Sequence, residues 1–355
     1  MQDDRPAGGD GDPRLSRRQF GAGALAGAAF GAGLGGALGG PALDGADALG
    51  GRALDGAEAI GRDDDLGPIP RRRLGRTGVE VSILGLGTAP MGEGPQTTPE
   101  LVEVFSEAID RGIDYIDTAR IYGNAEEALG KVLAGRRDKV FLATKCMEDS
   151  REAAQRSFET SLENLKVEHV DLLHLHSTGD RDLDLVLAPG GLWDYFLELR
   201  KAGRTRFLGI TGHNRPQKFL RMLATDQVDV MMVCMNFVDR NTYGFESKVL
   251  PAAREKKVAV LGMKTFGGIR GGFRYNRQRR PAQMDAVYLQ NAVRYSLGIE
   301  GLSGIVVGVH DATELRQNIR LVRHATPLSA AERASLEEHG TKLAELWGAR
   351  FGAVE

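Results

Sequence analysis

Tyr115-Ile116-Asp117-Thr118-Ala119-Arg120-Ile121-Tyr122-Gly123 reads as the end of an apolar strand running into a polar loop. It places a carboxylate, Asp117, where the strand stops and a phenol, Tyr122, five residues further on. The next two apolar runs end on Lys145 and on His176. Successive strand ends that deliver Asp/Tyr, Lys and His to one rim are the layout of a parallel barrel, whose catalytic groups sit at the C-terminal ends of its strands.

The flanking sequence extends the same rhythm. Short apolar runs at 83–87, 114–116, 140–144, 170–176, 207–211, 228–233, 258–263 and 304–307 alternate with amphipathic stretches. Those stretches, at 99–111, 125–134, 152–165, 192–202, 217–224, 247–256, 284–296 and 312–322, have helical character. Eight strand–helix units in about 240 residues predict an α/β fold of the (β/α)8 TIM barrel type. A doubly wound sheet would carry a Gly-x-Gly-x-x-Gly turn after its first strand, and Gly85-Leu86-Gly87-Thr88-Ala89-Pro90 does not supply one. Residues 71–82 have strand character on both sides of Gly75 and Gly78 and predict an N-terminal β-hairpin. Residues 330–347 predict a C-terminal extra helix outside the barrel.

The 355-residue chain is 42% hydrophobic and 26% charged, an ordinary soluble composition that can build a sizeable core. Its net charge of −2 argues against a nucleic-acid binder, which would carry a concentrated basic excess. Cys146 and Cys234 are its only cysteines, which excludes a cysteine-ligated cluster and a disulfide framework. Both fall in expected barrel strands, where a buried small hydrophobe is the plainer role.

Residues 1–70 are a different material, rich in Gly, Ala and Asp. Ser16-Arg17-Arg18-Gln19-Phe20 precedes an uncharged Gly/Ala-rich stretch at 21–40 and resembles a twin-arginine export signal. Such a weakly apolar stretch gives little transfer energy, so no stable membrane anchor is expected. Residues 42–52 are nearly repeated at 53–63, which reads as a linker. The expected organisation is therefore 1–48 signal-like segment, 49–70 linker and 71–355 folded domain, with cleavage near Ala46-Asp47-Ala48. A periplasmic location reached through the export machinery follows.

The four rim residues define a chemistry. An ammonium beside a phenol favours the phenolate and lowers its pKa, and a carboxylate paired with that ammonium fixes its position. An imidazole nearby orients a carbonyl oxygen or shares the proton. Together they make a proton donor aimed at an oxygen that turns negative as its carbon accepts hydride. No Gly-x-Ser-x-Gly elbow is present to suggest a nucleophilic mechanism instead. His174, two residues before His176, is expected to face the helices as a structural histidine. Met91, Trp193 and Phe266 are candidates to line a substrate pocket.

In these residues the chain resembles the aldo-keto reductase family. The resemblance rests on Tyr115-Ile116-Asp117-Thr118-Ala119 with Tyr122-Gly123, on Leu142-Ala143-Thr144-Lys145, and on Asp171-Leu172-Leu173-His174-Leu175-His176. Leu74-Gly75-Arg76-Thr77-Gly78 and the stretch from Ile305-Val306-Val307-Gly308 to Asn318 are similar too. The resemblance implies NADP- or NAD-dependent reduction of a small-molecule aldehyde or ketone. Tyr122 would be the general acid, Lys145 would tune it, Asp117 would hold Lys145 and His176 would orient substrate. It places the cofactor at Gly87, Thr88, Thr211, Gly212, His213, Asn236, Met263, Lys264, Phe266, Gly267, Gly268, Gly308 and Asn318.

The chain also departs from that family. Where relatives hold the nicotinamide carboxamide with Ser-Asn after the fifth barrel strand and Gln on the sixth, it has Thr211-Gly212-His213 and Met232. Thr211, His213 and Asn236 are expected to supply substitute hydrogen bonds, and Met263 a polarizable face where an aromatic ring would stack. Gly267 and Gly268 let backbone amides approach a diphosphate; the arginines at 274, 277, 279 and 280 follow in the same loop. Asp311 and Glu314 stand where NADP-preferring relatives have basic residues, which points to NADH or a relaxed preference unless Arg316 or Arg320 compensates. Alternatives to the reductase are a nucleotide-binding regulatory barrel with little turnover and a non-redox carbohydrate lyase or epimerase.

Overall fold

The computed structural model describes residues 67–267 and 286–355. The signal-like segment, nearly all of the linker, Gly268 and the arginines at 274–280 lie outside the described residues. Two short antiparallel strands, β1 (Arg71–Arg73) and β2 (Glu80–Ser82), form the expected hairpin. Eight parallel strands then close a barrel: β3 (Leu84–Gly87), β4 (Tyr115–Asp117), β5 (Phe141–Cys146), β6 (Val170–Leu175), β7 (Thr205–Gly212), β8 (Val230–Cys234), β9 (Ala259–Met263) and β10 (Leu302–Gly308). β10 pairs with β3, which leaves the barrel no free edge.

Helices cover the outside, and several begin on side chains chosen to satisfy their free amides. Thr97 and Glu100 form a capping box at helix Thr98–Asp110. Ser150 accepts from the Ala153 amide at helix Arg151–Leu165, and Asp311 from the Glu314 amide at helix Ala312–Arg323. The last helix, Ala330–Trp347, starts with a second capping box, Ser329 with Glu332.

Inside the barrel the strands alternate, so every second residue points to the axis. The lower interior is apolar. Leu74 and Val81 of the hairpin join Tyr115, Phe141, Leu172, Val230 and Ala259 there. Tyr115 stacks on Phe141 at 5.4 Å between ring centroids, and Phe141 on Phe207 at 6.1 Å. The hairpin is thus the floor of the barrel, and the polar rim lies at the other end.

The same alternation corrects the reading of His174. Residues two apart share a face, and Leu172, His174 and His176 are such a series. The neighbouring strand confirms it: a Cβ on Gly209 would come within 2.3 Å of the His174 Nδ1. His174 therefore points into the barrel one layer beneath His176, not toward the helices. Trp193 goes the other way. It is buried on helix Leu192–Lys201, 5.8 Å from Phe196, and donates through Nε1 to Gln227. Met91 is likewise enclosed in the packing between helices and strands.

Candidate active site

Lys145 and Asp117 project from the ends of adjacent strands. The Lys145 Nζ donates to Asp117 Oδ1 at 2.5 Å and to the Thr118 carbonyl at 2.8 Å, with side chains 1% and 5% exposed. Burial is the largest influence on both groups, raising the Asp117 pKa and lowering that of Lys145, while each opposes the shift in the other. The contact distance and the second hydrogen bond fit an ammonium–carboxylate pair. The ammonium lies 4.6 Å from the centroid of the Tyr122 ring. Tyr122 meets His176 edge-on, with centroids 5.8 Å apart. The backbone amide of His176 donates to the Cys146 carbonyl at 2.9 Å, which fixes the strand end that carries it. The structure therefore brings the four predicted residues together at one rim.

Burial holds the His176 pKa well below its usual value, and the charges of Lys145, Arg181 and Lys264 add to the effect. His176 is a neutral imidazole at neutral pH. It can orient a carbonyl oxygen, but the positive charge of the site resides on Lys145. Both cysteines are free and buried, with the Cys146 thiol pushed up to about 11 and Cys234 well above its normal value, so neither is a nucleophile at neutral pH.

The other side of the mouth is less regular. Thr211, inward on β7 and 1% exposed, has a buried hydroxyl with no partner among the described residues; so do Thr88 and Thr265. Such orphaned groups invite a ligand, since a buried hydroxyl without a hydrogen bond is costly. Gly87 and Gly308 face each other across β3 and β10, and a Cβ on Gly308 would come within 2.4 Å of Pro90. Gly212 ends β7 against Phe219. His213 packs on Phe351 at 4.9 Å, and Met263 and Met232 line the barrel interior. Lys264 has a left-handed backbone, φ 60°, and its carbonyl accepts from the Gly267 amide at 2.8 Å. Phe266 is half-buried, packed against the core. Asn318 is buried on the helix that follows β10.

Asn236 does not play the role expected of it. Its Nδ2 donates to Asp239 Oδ2 at 2.6 Å and to the Lys264 carbonyl at 2.8 Å. Its Oδ1 accepts from the amides of Val238 and Asp239 at 2.9 and 2.8 Å. All four positions of the amide are occupied, so it clasps two loops and has nothing left for a carboxamide.

Four contributors escaped the sequence reading. Glu93, half-buried at the end of helix Ala89–Gly92, has its pKa raised to about 7 by burial, with Lys264 and Lys145 opposing. Arg350 and Phe351 reach the mouth from beyond the last helix, and Asp239 receives Arg350. Local sequence carries no signal for them, because the Arg350–Asp239 contact spans 111 residues.

At the helix that follows β10, Asp311 is the cap, and Glu314 accepts from the His310 amide and pairs with the His310 ring. Arg316 is drawn to Glu107 on another helix. Among the described residues no cluster is suited to hold a metal, and no helix is long and apolar enough to cross a membrane.

A model of the aldo/keto reductase family matches residues 83–290, more than half of the chain. The chain belongs to the aldo/keto reductase family. L-galactose dehydrogenase of Arabidopsis thaliana is 29% identical over 286 residues, covering 72% of this chain and 88% of the relative. A Pseudomonas aeruginosa protein assigned to the aldo-keto reductases is 26% identical, with a TM-score of 0.60 over 72% of this chain and 95% of that one. An aldo/keto reductase from Klebsiella pneumoniae, solved with NADP and acetate, shares the fold at a TM-score of 0.61 and 21% identity, covering 80% of this chain and 99% of its own.

Proposed function

We propose that the protein is an NAD(P)H-dependent oxidoreductase that reduces an aldehyde or ketone carbonyl, of sugar type, to an alcohol. The observation that carries this reading is the buried Asp117–Lys145 pair set beside the Tyr122 ring, with a neutral His176 edge-on to it. Lys145 favours developing negative charge on the Tyr122 oxygen, and Asp117 keeps the ammonium in place. Tyr122 donates its proton to the carbonyl oxygen while His176 fixes that oxygen by a hydrogen bond. A reduced nicotinamide, when bound, would supply the hydride to the carbonyl carbon. The orphaned hydroxyls of Thr88, Thr211 and Thr265 fit such a cofactor, with Gly87, Gly212, His213, Met263, Lys264, Phe266, Gly267, Gly308 and Asn318 completing its surroundings. The sugar-type substrate is supported by the similarity to L-galactose dehydrogenase.

NADH is the favoured nucleotide, since two carboxylates occupy the adenosine end and Arg316 is engaged by Glu107. Following the absorbance of NADH and of NADPH with a panel of aldoses and aldehydes tests both points. Tyr122→Phe should lower turnover by roughly 10²–10⁴-fold while nucleotide still binds. Undiminished turnover in that variant removes Tyr122 as the acid, product without cofactor consumption favours an epimerase or lyase, and a strong NADPH preference refutes the nucleotide assignment.

Export through the twin-arginine route belongs to the same proposal, supported by Arg17-Arg18 and the uncharged segment after them. Replacing both arginines by lysine should leave the protein in the cytoplasm of a bacterial host. Unchanged recovery from the periplasm would refute it.

A further inference from the structure

The mouth of the barrel on the cofactor side is built partly by residues far from the barrel in sequence. Arg350 and Asp239 form a two-pronged ion pair, 2.7 and 2.8 Å, with both side chains shielded from solvent. The guanidinium lies 4.5 Å from the Trp347 ring centroid and 4.3 Å from that of Phe351. The Phe351 amide donates to the Tyr243 hydroxyl at 2.7 Å, and the Phe351 ring packs on His213 and lies 5.8 Å from the Lys264 ammonium.

Asp239 has a second task. Its Oδ2 accepts from Asn236, whose other amide hydrogen goes to the Lys264 carbonyl. Lys264 is a non-glycine residue in the left-handed region, a conformation that persists only where the surroundings enforce it. A continuous series of contacts thus runs from Arg350 through Asp239 and Asn236 to the strained backbone of Lys264, and from Arg350 through Phe351 to His213.

We propose that Arg350 is a positioning residue for the nicotinamide side of the mouth. It sets Phe351 against His213 and, through Asp239 and Asn236, holds the Lys264 carbonyl, so that residues 348–352 determine how well the barrel accepts a nicotinamide nucleotide. The ligand class rests on the proposed reductase reading; the positioning itself does not. Arg350 acts here by geometry, since the planar fork matches the carboxylate and stacks between two rings as lysine cannot.

Hydrogen exchange on the full chain, free of nucleotide, is the first measurement. In Arg350→Met the amides of Asp239, Gly267 and Phe351 should exchange about tenfold or more faster, while those of Thr118 and His176, on the catalytic strands, stay within a factor of about two. Equal acceleration at all five positions would reduce Arg350 to a general structural staple, and an unmoved Gly267 would break the link to Lys264. If Arg350→Met does not fold, Arg350→Lys, which keeps the charge and loses the fork, faces the same comparison. The second measurement is the dissociation constant for NADH, which should rise about tenfold in Arg350→Met with a smaller change in kcat and a partial return in Arg350→Lys. Failure of the wild type to bind NADH or NADPH would count against the reductase reading alone, because the amide pattern is read without nucleotide. Unaltered NADH affinity in a variant whose Gly267 amide has loosened would overturn the inference.

Discussion

The two sides of the barrel mouth are built by different means. On one side Asp117, Tyr122, Lys145 and His176 come from three consecutive strands and the loop after the first, and Asp117, Lys145 and His176 are each held by a neighbour one strand away. On the other, a clasp made by Asn236 holds Lys264, and His213 packs on the Phe351 ring beside the ion pair of Arg350 with Asp239. The first is a property of strand ends and can be read in a short window of sequence. The second is a property of the assembled chain. A proton-transfer site needs a few groups within hydrogen-bond reach, whereas a surface that accepts a large cofactor needs loops from several strands held in register with one another.

The sharpest way to break the catalytic side is to unpair its buried charges. Lys145→Met leaves Asp117 enclosed without its cation, which should cost about 3–5 kcal/mol of stability as well as most of the turnover. Adding Asp117→Asn removes the stranded charge, so the double variant should recover most of the stability and none of the activity. Denaturant unfolding monitored beside turnover separates the two effects. Recovery of activity in the double variant would show that the pair serves the fold and not the chemistry.

The barrel, the hairpin and the convergence of the four rim residues were legible because each depends on a local pattern. The apolar runs fell within a few residues of the strands, and the hairpin at 71–82 was marked by Gly75 and Gly78, both with positive φ. Where the reading failed, the reason was physical. Asn236 is a polar residue near the right strand, but sequence does not show that four hydrogen bonds have already been committed. For Trp193 the sequence left a pocket-lining and a packing role equally open, and the side chain packs on Phe196 of its own helix. The expectation for His174 placed residues two apart on opposite faces, whereas they share one; Gly209, whose missing side chain makes room for the ring, was the clue across the strand.

His174 gives the next prediction, intermediate in size. Burial pushes the pKa of His174 and of His176 well below the usual histidine value, and it does so for the half-buried His213 as well. The folded chain therefore refuses protons that the unfolded chain accepts below about pH 6.5. Stability from these groups is complete above that pH and is lost as the pH falls, by at most about 1.4 kcal/mol per pH unit for each histidine. Glu93 works against them: its folded pKa, raised from 4.5 to about 7, means that its contribution is present at low pH and is lost as the pH rises through that window. His174→Leu should remove one histidine's share, so the fall in stability between about pH 6.5 and pH 5 becomes shallower. An unchanged slope would mean that His174 titrates in the folded barrel, and its placement beneath the catalytic layer would need revision.

The smallest expected effect probes the cofactor side directly. Met232 faces the barrel axis, 3% exposed, with Thr211 as its partner on β7 and Leu261 on β9. Glutamine at this position would put an amide beside the orphaned Thr211 hydroxyl, where related reductases carry one. In the nucleotide-free protein that amide has few partners besides Thr211, so Met232→Gln should lower stability by about 1–3 kcal/mol. With a nicotinamide carboxamide available to it, the same group should regain about 0.5–1.5 kcal/mol, which appears as tighter binding of NADH. The two measurements must move in opposite directions. Lower stability without a gain in affinity would mean that Thr211 and His213 already satisfy the nicotinamide end, and that the departure at Met232 is a different solution to the same binding problem rather than a weaker one.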